Sequence, residues 1–181
     1  CDWSSDVCSS DLSGYANNGP VPNFGSTAPR AVVVAALKSA IDSSTALRED
    51  QNVFNLITCP GYPELIPNMI NLNNDKNNTA FIIGDTPMTL SATGTSLQNW
   101  ATNANGALQT NNLGLVNHDP YTAVYYPAGL TNDLSGNNIV VPPSYAMLTA
   151  FLKSDNASYP WFAPAGTRRG IISNLTSIGY V

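Results

Sequence analysis

NVFNLITCPGYPELIPNMINLNNDKNNTAFIIGD, residues 52–85, holds two apolar runs separated by a stretch of different rhythm. The first run, NVFNLITC (52–59), and the second, TAFIIGD (79–85), are short, and β-branched and aromatic residues recur in both. A continuous apolar run of this length suits a strand covered on both faces, as in a parallel sheet. Between them PGYP (60–63) turns the chain, ELIPNMINLN (64–73) reads as a helix, and NNDKNN follows as a loop. Strand, helix, strand is the unit from which layered α/β domains are built.

Working outward, Thr27 is placed to cap a helix that carries Pro29 in its first turn. Val33, Leu37 and Ile41 recur there at helical spacing and predict a buried stripe to about residue 43. STALRED (44–50) reads as a short helical turn. On the other side, TSLQNWATNANG (95–106) predicts a helix with Leu97, Trp100 and Ala101 inward and a glycine just past its end. An Asn-rich connection leads to a strand, YTAVYYP (121–127), then a loop to about residue 137 and a strand NIVVPP (138–143) that prolines stop. SYAMLTAFLKSDN (144–156) predicts a helix capped by Ser144, with Ala146, Leu148, Phe151 and Leu152 on its apolar face. The alternation predicts one α/β domain over residues 29–181, a mostly parallel sheet flanked by helices, with no internal repeat.

The two ends read differently. Residues 1–12, CDWSSDVCSSDL, fit no structural period and lack the basic start and apolar centre of a signal peptide. From Asp2 through Leu12 they match a translated sequencing-library adapter, and they are read as a scar rather than native chain, the alternative being a natural serine-rich tail. On that reading the authentic N-terminus is lost. SGYANNGPVPNFGSTA (13–28) is punctuated by Gly, Asn and Pro and reads as a linker.

The chain carries seven Lys and Arg against twelve Asp and Glu, a net charge of −5; without Asp2, Asp6 and Asp11 of the scar it is −2. The acidity therefore says little about partners. No basic stripe marks a nucleic-acid surface. The longest apolar run, AVVVAAL (31–37), is far short of the roughly 20 residues a membrane span needs. With Cys1 and Cys8 set aside, Cys59 alone cannot form an internal disulfide, which points to a reducing compartment or a buried inert thiol. Low charge and abundant Asn suit a surface covered by neighbours, though an AT-rich genome gives the same bias.

Candidate chemistry is thin. The first two strands end at Cys59-Pro60-Gly61-Tyr62 and Asp85-Thr86-Pro87, neither of which is a glycine-rich phosphate loop. Asp85, Ser96 and His118 echo the pieces of a subtilisin triad, but in the chain order Asp, Ser, His rather than Asp, His, Ser. Asp85 is followed by Thr86-Pro87 and His118 by Asp119-Pro120, where such sites carry glycine. One His and one Cys far apart supply no metal-ligand cluster, so neither a metal nor a cofactor is expected. Asn77-Asn78-Thr79, Asn156-Ala157-Ser158 and Asn174-Leu175-Thr176 match the glycosylation acceptor pattern, as chance allows in an Asn-rich chain.

The order of features from residue 121 onward is more distinctive: YTAVYYP, a loop, IVVPPS, a helix ending in KSDNAS, and PWFAPAGTRRGI. This resembles the central domain of contractile-tail sheath proteins of bacteriophages and related injection machines. The resemblance rests on Tyr125, Tyr126 and Pro127; Pro142, Pro143 and Ser144; Asp155; and Trp161, Ala163, Pro164, Ala165, Gly166 and Gly170. NVFNLITCPGY and TAFIIGDTP are similar to the family's "strand, Pro-Gly" and "strand, Asp-x-Pro" segments, so the likeness spans roughly residues 30–181.

The resemblance implies a subtilisin-like layout without a working triad, and a structural subunit rather than an enzyme. Its partners would be copies of itself in stacked hexameric rings, a tail tube protein and a baseplate, without nucleic acid or membrane. Its place would be the virion's tail sheath, after assembly in the host cytoplasm. Trp161, Phe162, Pro164, Gly166, Arg168, Arg169, Tyr125 and Tyr126 are the assembly candidates. Trp161 and Phe162, held by Pro160 and Pro164, are expected to form a rigid apolar plug, with Trp161 closing the core. Arg168 and Arg169 are expected to reach oxygen acceptors within the subunit or across a contact. The chain departs from the family pattern in stopping at SIGYV, about where a further domain is expected, and it reads as the central module of a broken gene. A degenerate α/β hydrolase is the runner-up, and an Asn-rich all-β binding domain is the third reading.

Overall fold

A computed structural model of the chain describes residues 27–90, 95–106, 113–159, 161–173 and 175–178. Residues 1–12, most of the 13–28 linker, residues 91–94, part of the Asn-rich connection, Pro160, Asn174 and residues 179–181 lie outside the described residues. The chain divides into two compact units, Cys1–Leu47 and Arg48–Val181. In the first, helix α1 (Thr27–Ser43) spans the predicted apolar stripe, with Thr27 as its first residue rather than its cap. Arg30, Val33, Leu37, Lys38 and Ile41 are half-buried and Val34 is buried, so the covered positions recur at three and four residues.

The second unit is α/β. Strands β1 (Leu56–Thr58), β2 (Phe81–Asp85) and β3 (Thr122–Tyr125) form a parallel sheet in the order β1-β2-β3. Ile57 pairs with Ile82, and Asp85 with Tyr125. The chain passes from β1 to β2 through a 3₁₀ turn (Pro63–Leu65) and helix α2 (Ile66–Asp75), then through helix α3 (Ser96–Ala101) to β3. β2 is central, and Ile82, Ile83, Gly84 and Asp85 are buried. Side chains alternate across it. A Cβ on Gly84 would stand 3.0 Å from Ile66 Cδ1 of α2, and Asp85 bonds Ser144 on the opposite side. Helices thus cover both faces. Leu65, Ile66, Met69, Ile82 and Ile83 form the best-sealed part of the core, each at most 2% exposed.

Expectation and structure diverge at several elements. β1 is an edge strand, with Leu56 exposed, and only three residues of the 52–59 run pair. An edge strand has one pairing neighbour, so its apolar residues are not covered as β2's are. Residues 44–50 form turns rather than helix, and α3 ends at Ala101 because Asn103 and Gly106 take positive φ. Its inward side chain is Trp100, while Leu97 and Ala101 are half-buried.

The largest correction concerns NIVVPP. It forms β5 (Asn138–Val141), which pairs antiparallel with β4 (Gly129–Asn132), and β4 also pairs with β6 (Ser177–Ile178) in a separate sheet, order β5-β4-β6. The presumed loop thus contains a hairpin. Its turn is tied by Asp133, whose Oδ1 accepts the Ser135 and Asn137 amides at 2.8 Å, with Gly136 at φ 85°. Helix α4 (Pro143–Ala157) follows, burying Ser144, Ala146, Ala150 and Ser154; Leu148 and Phe151 are half-buried and Leu152, 61% exposed, faces out.

Candidate functional site

Three segments singled out in the sequence, CPGY, GDTP and VPPS, meet at one side chain. Asp85, at the end of β2, is 2% exposed. Its Oδ2 accepts the Gly61 amide at 2.7 Å and the Ser144 hydroxyl at 2.7 Å, and its Oδ1 accepts the Ser144 amide at 2.7 Å. Short bonds to a carboxylate are strong, and three of them satisfy a charge that burial alone would penalise. Each donor is available for a local reason. Gly61, at φ 81° in the turn after β1, leaves its N–H outside any ladder. The Ser144 amide lies in the first turn of α4, where no intrahelical acceptor exists.

Ser144 was expected to cap α4 with its own hydroxyl. Pro142 instead occupies the N-cap position, without a side-chain cap, and the capping carboxylate is Asp85, 59 positions earlier. Placing a negative charge at a helix N-terminus is favourable. Burial pushes the Asp85 carboxyl above the usual range, and the Gly61 and Ser144 bonds pull it partly back. Burial, then the nearby Asp85 and Glu64 carboxylates, push the Cys59 thiol up, which makes it a poor nucleophile.

The expected assembly residues fall into two groups. Tyr125 and Tyr126 lie beside the Asp85 clasp. Tyr125 is the sheet partner of Asp85 and meets Phe151 of α4 edge-on, ring centroids 6.4 Å apart. The Tyr126 hydroxyl donates to the Leu90 carbonyl at 3.4 Å, and the Tyr126–Pro127 peptide is cis. Both tyrosines are half-buried and help to hold α4 and the 86–90 loop against the sheet end.

The other six lie in the segment after α4. Trp161 is 76% exposed, so it does not close the core. Its ring stacks flat on Tyr159, centroids 4.8 Å apart and planes 2° apart. Phe162 is 39% exposed, 6.1 Å from Tyr159 between centroids, and carries the Arg169 guanidinium over its face at 4.1 Å. The expected plug is a surface cluster of aromatic rings. Pro164 is half-buried, and Gly166 opens helix α5 (Gly166–Arg169) at φ 79°, with Arg168 and Arg169 exposed on it.

His118 is exposed and Ser96 half-buried, and the three bonds on Asp85 come from Gly61 and Ser144. Among the described residues, no group of three or more His, Cys, Asp or Glu side chains is placed to hold a metal ion, and no helix is long and apolar enough to cross a membrane.

The clasp is not legible in the sequence because Asp85 and Ser144 each carry a separate local signal. What hint there is lies in the three proline-bearing strand ends taken together. Equally hidden is Asn73, 1% exposed, whose amide donates to the Ala80 carbonyl at 2.9 Å and accepts the Ala80 N–H at 3.0 Å. That side chain completes the backbone pairing just before β2 begins. No protein-family model matches the chain, and no curated protein matches it.

Proposed function

We propose that this chain is the central module of a contractile-tail sheath subunit. Copies would stack as hexameric rings around a tail tube above a baseplate, and their contraction would drive the tube through the host envelope. The subtilisin-like layout belongs to the same proposal. The order of the motifs brings the family into view, and one observation gives it physical sense. Two strand-end motifs, CPGY and VPPS, are bonded to the buried carboxylate of a third, Asp85 of GDTP.

A sheath subunit works by changing neighbours. Contraction re-docks each subunit from one packing to another, so the bistable elements are the interfaces and the body must move as a unit. A body whose sheet end, turn and helix are joined only by apolar contacts can slide along them. Three directional bonds to Asp85 oppose that sliding between β2, the 60–63 turn and α4. On this reading the work is mechanical, and Asp85 is a structural tie rather than a member of a triad.

Immunogold electron microscopy supplies the test, using antibody raised against this chain on particles from cultures that carry the gene. Gold along the tails is the expected result, shortening with them after contraction. Gold on capsids, or on no particle, would overturn the proposal. A fluorophosphonate probe that labels Ser96, and fails to label His118→Ala, would favour the hydrolase reading instead.

A further inference from the structure

Beside the aromatic cluster lies a pocket of about 530 Å³ lined by Ala157, Ser158, Ala165, Thr167, Arg168 and Arg169. Two of the chain's seven cationic side chains meet here. Among the described residues neither arginine is paired with a carboxylate; the Arg48–Asp75 pair lies elsewhere. Arg169 rests over the Phe162 ring, so its guanidinium is positioned while its N–H edge stays available for an oxygen ligand. The Ser158 and Thr167 hydroxyls add neutral donors. Next to the pocket stands the Tyr159–Trp161 stack, with Trp161 largely exposed.

We propose that this pocket binds an acidic side chain of a partner polypeptide, with the neighbouring apolar or proline residue of that partner resting on Trp161. Charge selects the occupant. Arg168 and Arg169 are the cationic side chains among the described lining residues, and two of them match a single carboxylate, whereas nucleic acid or an anionic membrane calls for a broader basic surface. The aromatic platform selects the flank, since Trp and Tyr offer large apolar area with few rotors to freeze. A carboxylate beside an exposed indole therefore satisfies both halves of the patch, and a small inorganic anion would leave the aromatic half unused. The site stands independently of the sheath proposal.

The test is a random-peptide display selection on the whole protein, run in parallel on the Arg168→Gln/Arg169→Gln double variant. Thermal unfolding first confirms that the variant folds, as expected for exposed side chains. Peptides enriched only on the unaltered protein should carry Asp or Glu beside Pro, Leu or an aromatic residue. A synthetic copy of the leading peptide should bind at least ten-fold more weakly to the double variant and to Trp161→Ala, and more weakly as salt rises. Identical peptide pools from the two proteins would overturn the inference. So would arginine-dependent sedimentation with phosphatidylserine vesicles in the absence of peptide selection, which would assign the patch to a membrane.

Discussion

A single aspartate bears most of the mechanical argument. Asp85→Ala leaves the Gly61 amide and both Ser144 donors without their acceptor, which should destabilise the Arg48–Val181 unit by about 3 kcal/mol in urea unfolding. The pH dependence carries a sign. Burial sets the folded pKa of Asp85 above its ordinary 3.8, so the folded state holds this proton more tightly than the unfolded chain does. The associated stability is complete below the unfolded value and is lost as pH rises through the folded one. Stability measured upward from pH 4 should therefore fall and then level, and Asp85→Asn should remove that component. Thr86 lies next in the chain, 3% exposed, with no hydrogen-bond partner for Oγ1 among the described residues. Thr86→Val should be neutral or stabilising by up to about 1 kcal/mol, read from the same unfolding curves. The identity of these residues was visible in the sequence, but their meeting was not. A serine before an apolar helical run signals a local cap, and nothing local announces an acceptor 59 positions away.

Elements divide by how much of their stability is local. α1, α4 and β2 were legible because proline placement and apolar spacing agree there, although the expected caps Thr27 and Ser144 lie inside their helices. β4 was not, since GLTN has weak strand character and exists through pairing with β5 and β6. Gly129 shows how closely that sheet is packed. A Cβ there would stand 2.7 Å from Leu175 Cδ1, the end of a half-buried side chain that must turn aside, so Gly129→Ala should cost about 1 kcal/mol and loosen β6 first. Hydrogen exchange at the Ile178 amide checks the order of events. The β4–β5 turn responds to acid in the opposite sense from Asp85. Hydrogen bonds from the Asn137 side chain and backbone lower the Asp133 pKa below 3.8, so its contribution is present above that value and fades as pH falls through the folded one. The Ser135 and Asn137 amides should lose protection below that point, before the parallel sheet does.

At the scale of the molecule, the α/β class followed from the sequence, while the second sheet and the exposed aromatic cluster did not. Trp161 between two prolines reads as a core residue, yet its ring stacks on the exposed Tyr159 and stays at the surface. That displacement turns Tyr159, Trp161 and Phe162 from packing residues into part of the surface. What remains internal is the tie between the sheet end, the 60–63 turn and α4, and the proposed mechanical role depends on it. The most direct measurement is a double-mutant cycle in urea unfolding with Asp85→Asn, Ser144→Ala and the pair. A coupling of about 1–2 kcal/mol is expected if the two residues act as one clasp. Strict additivity, with both single variants near the stability of the parent chain, would contradict it.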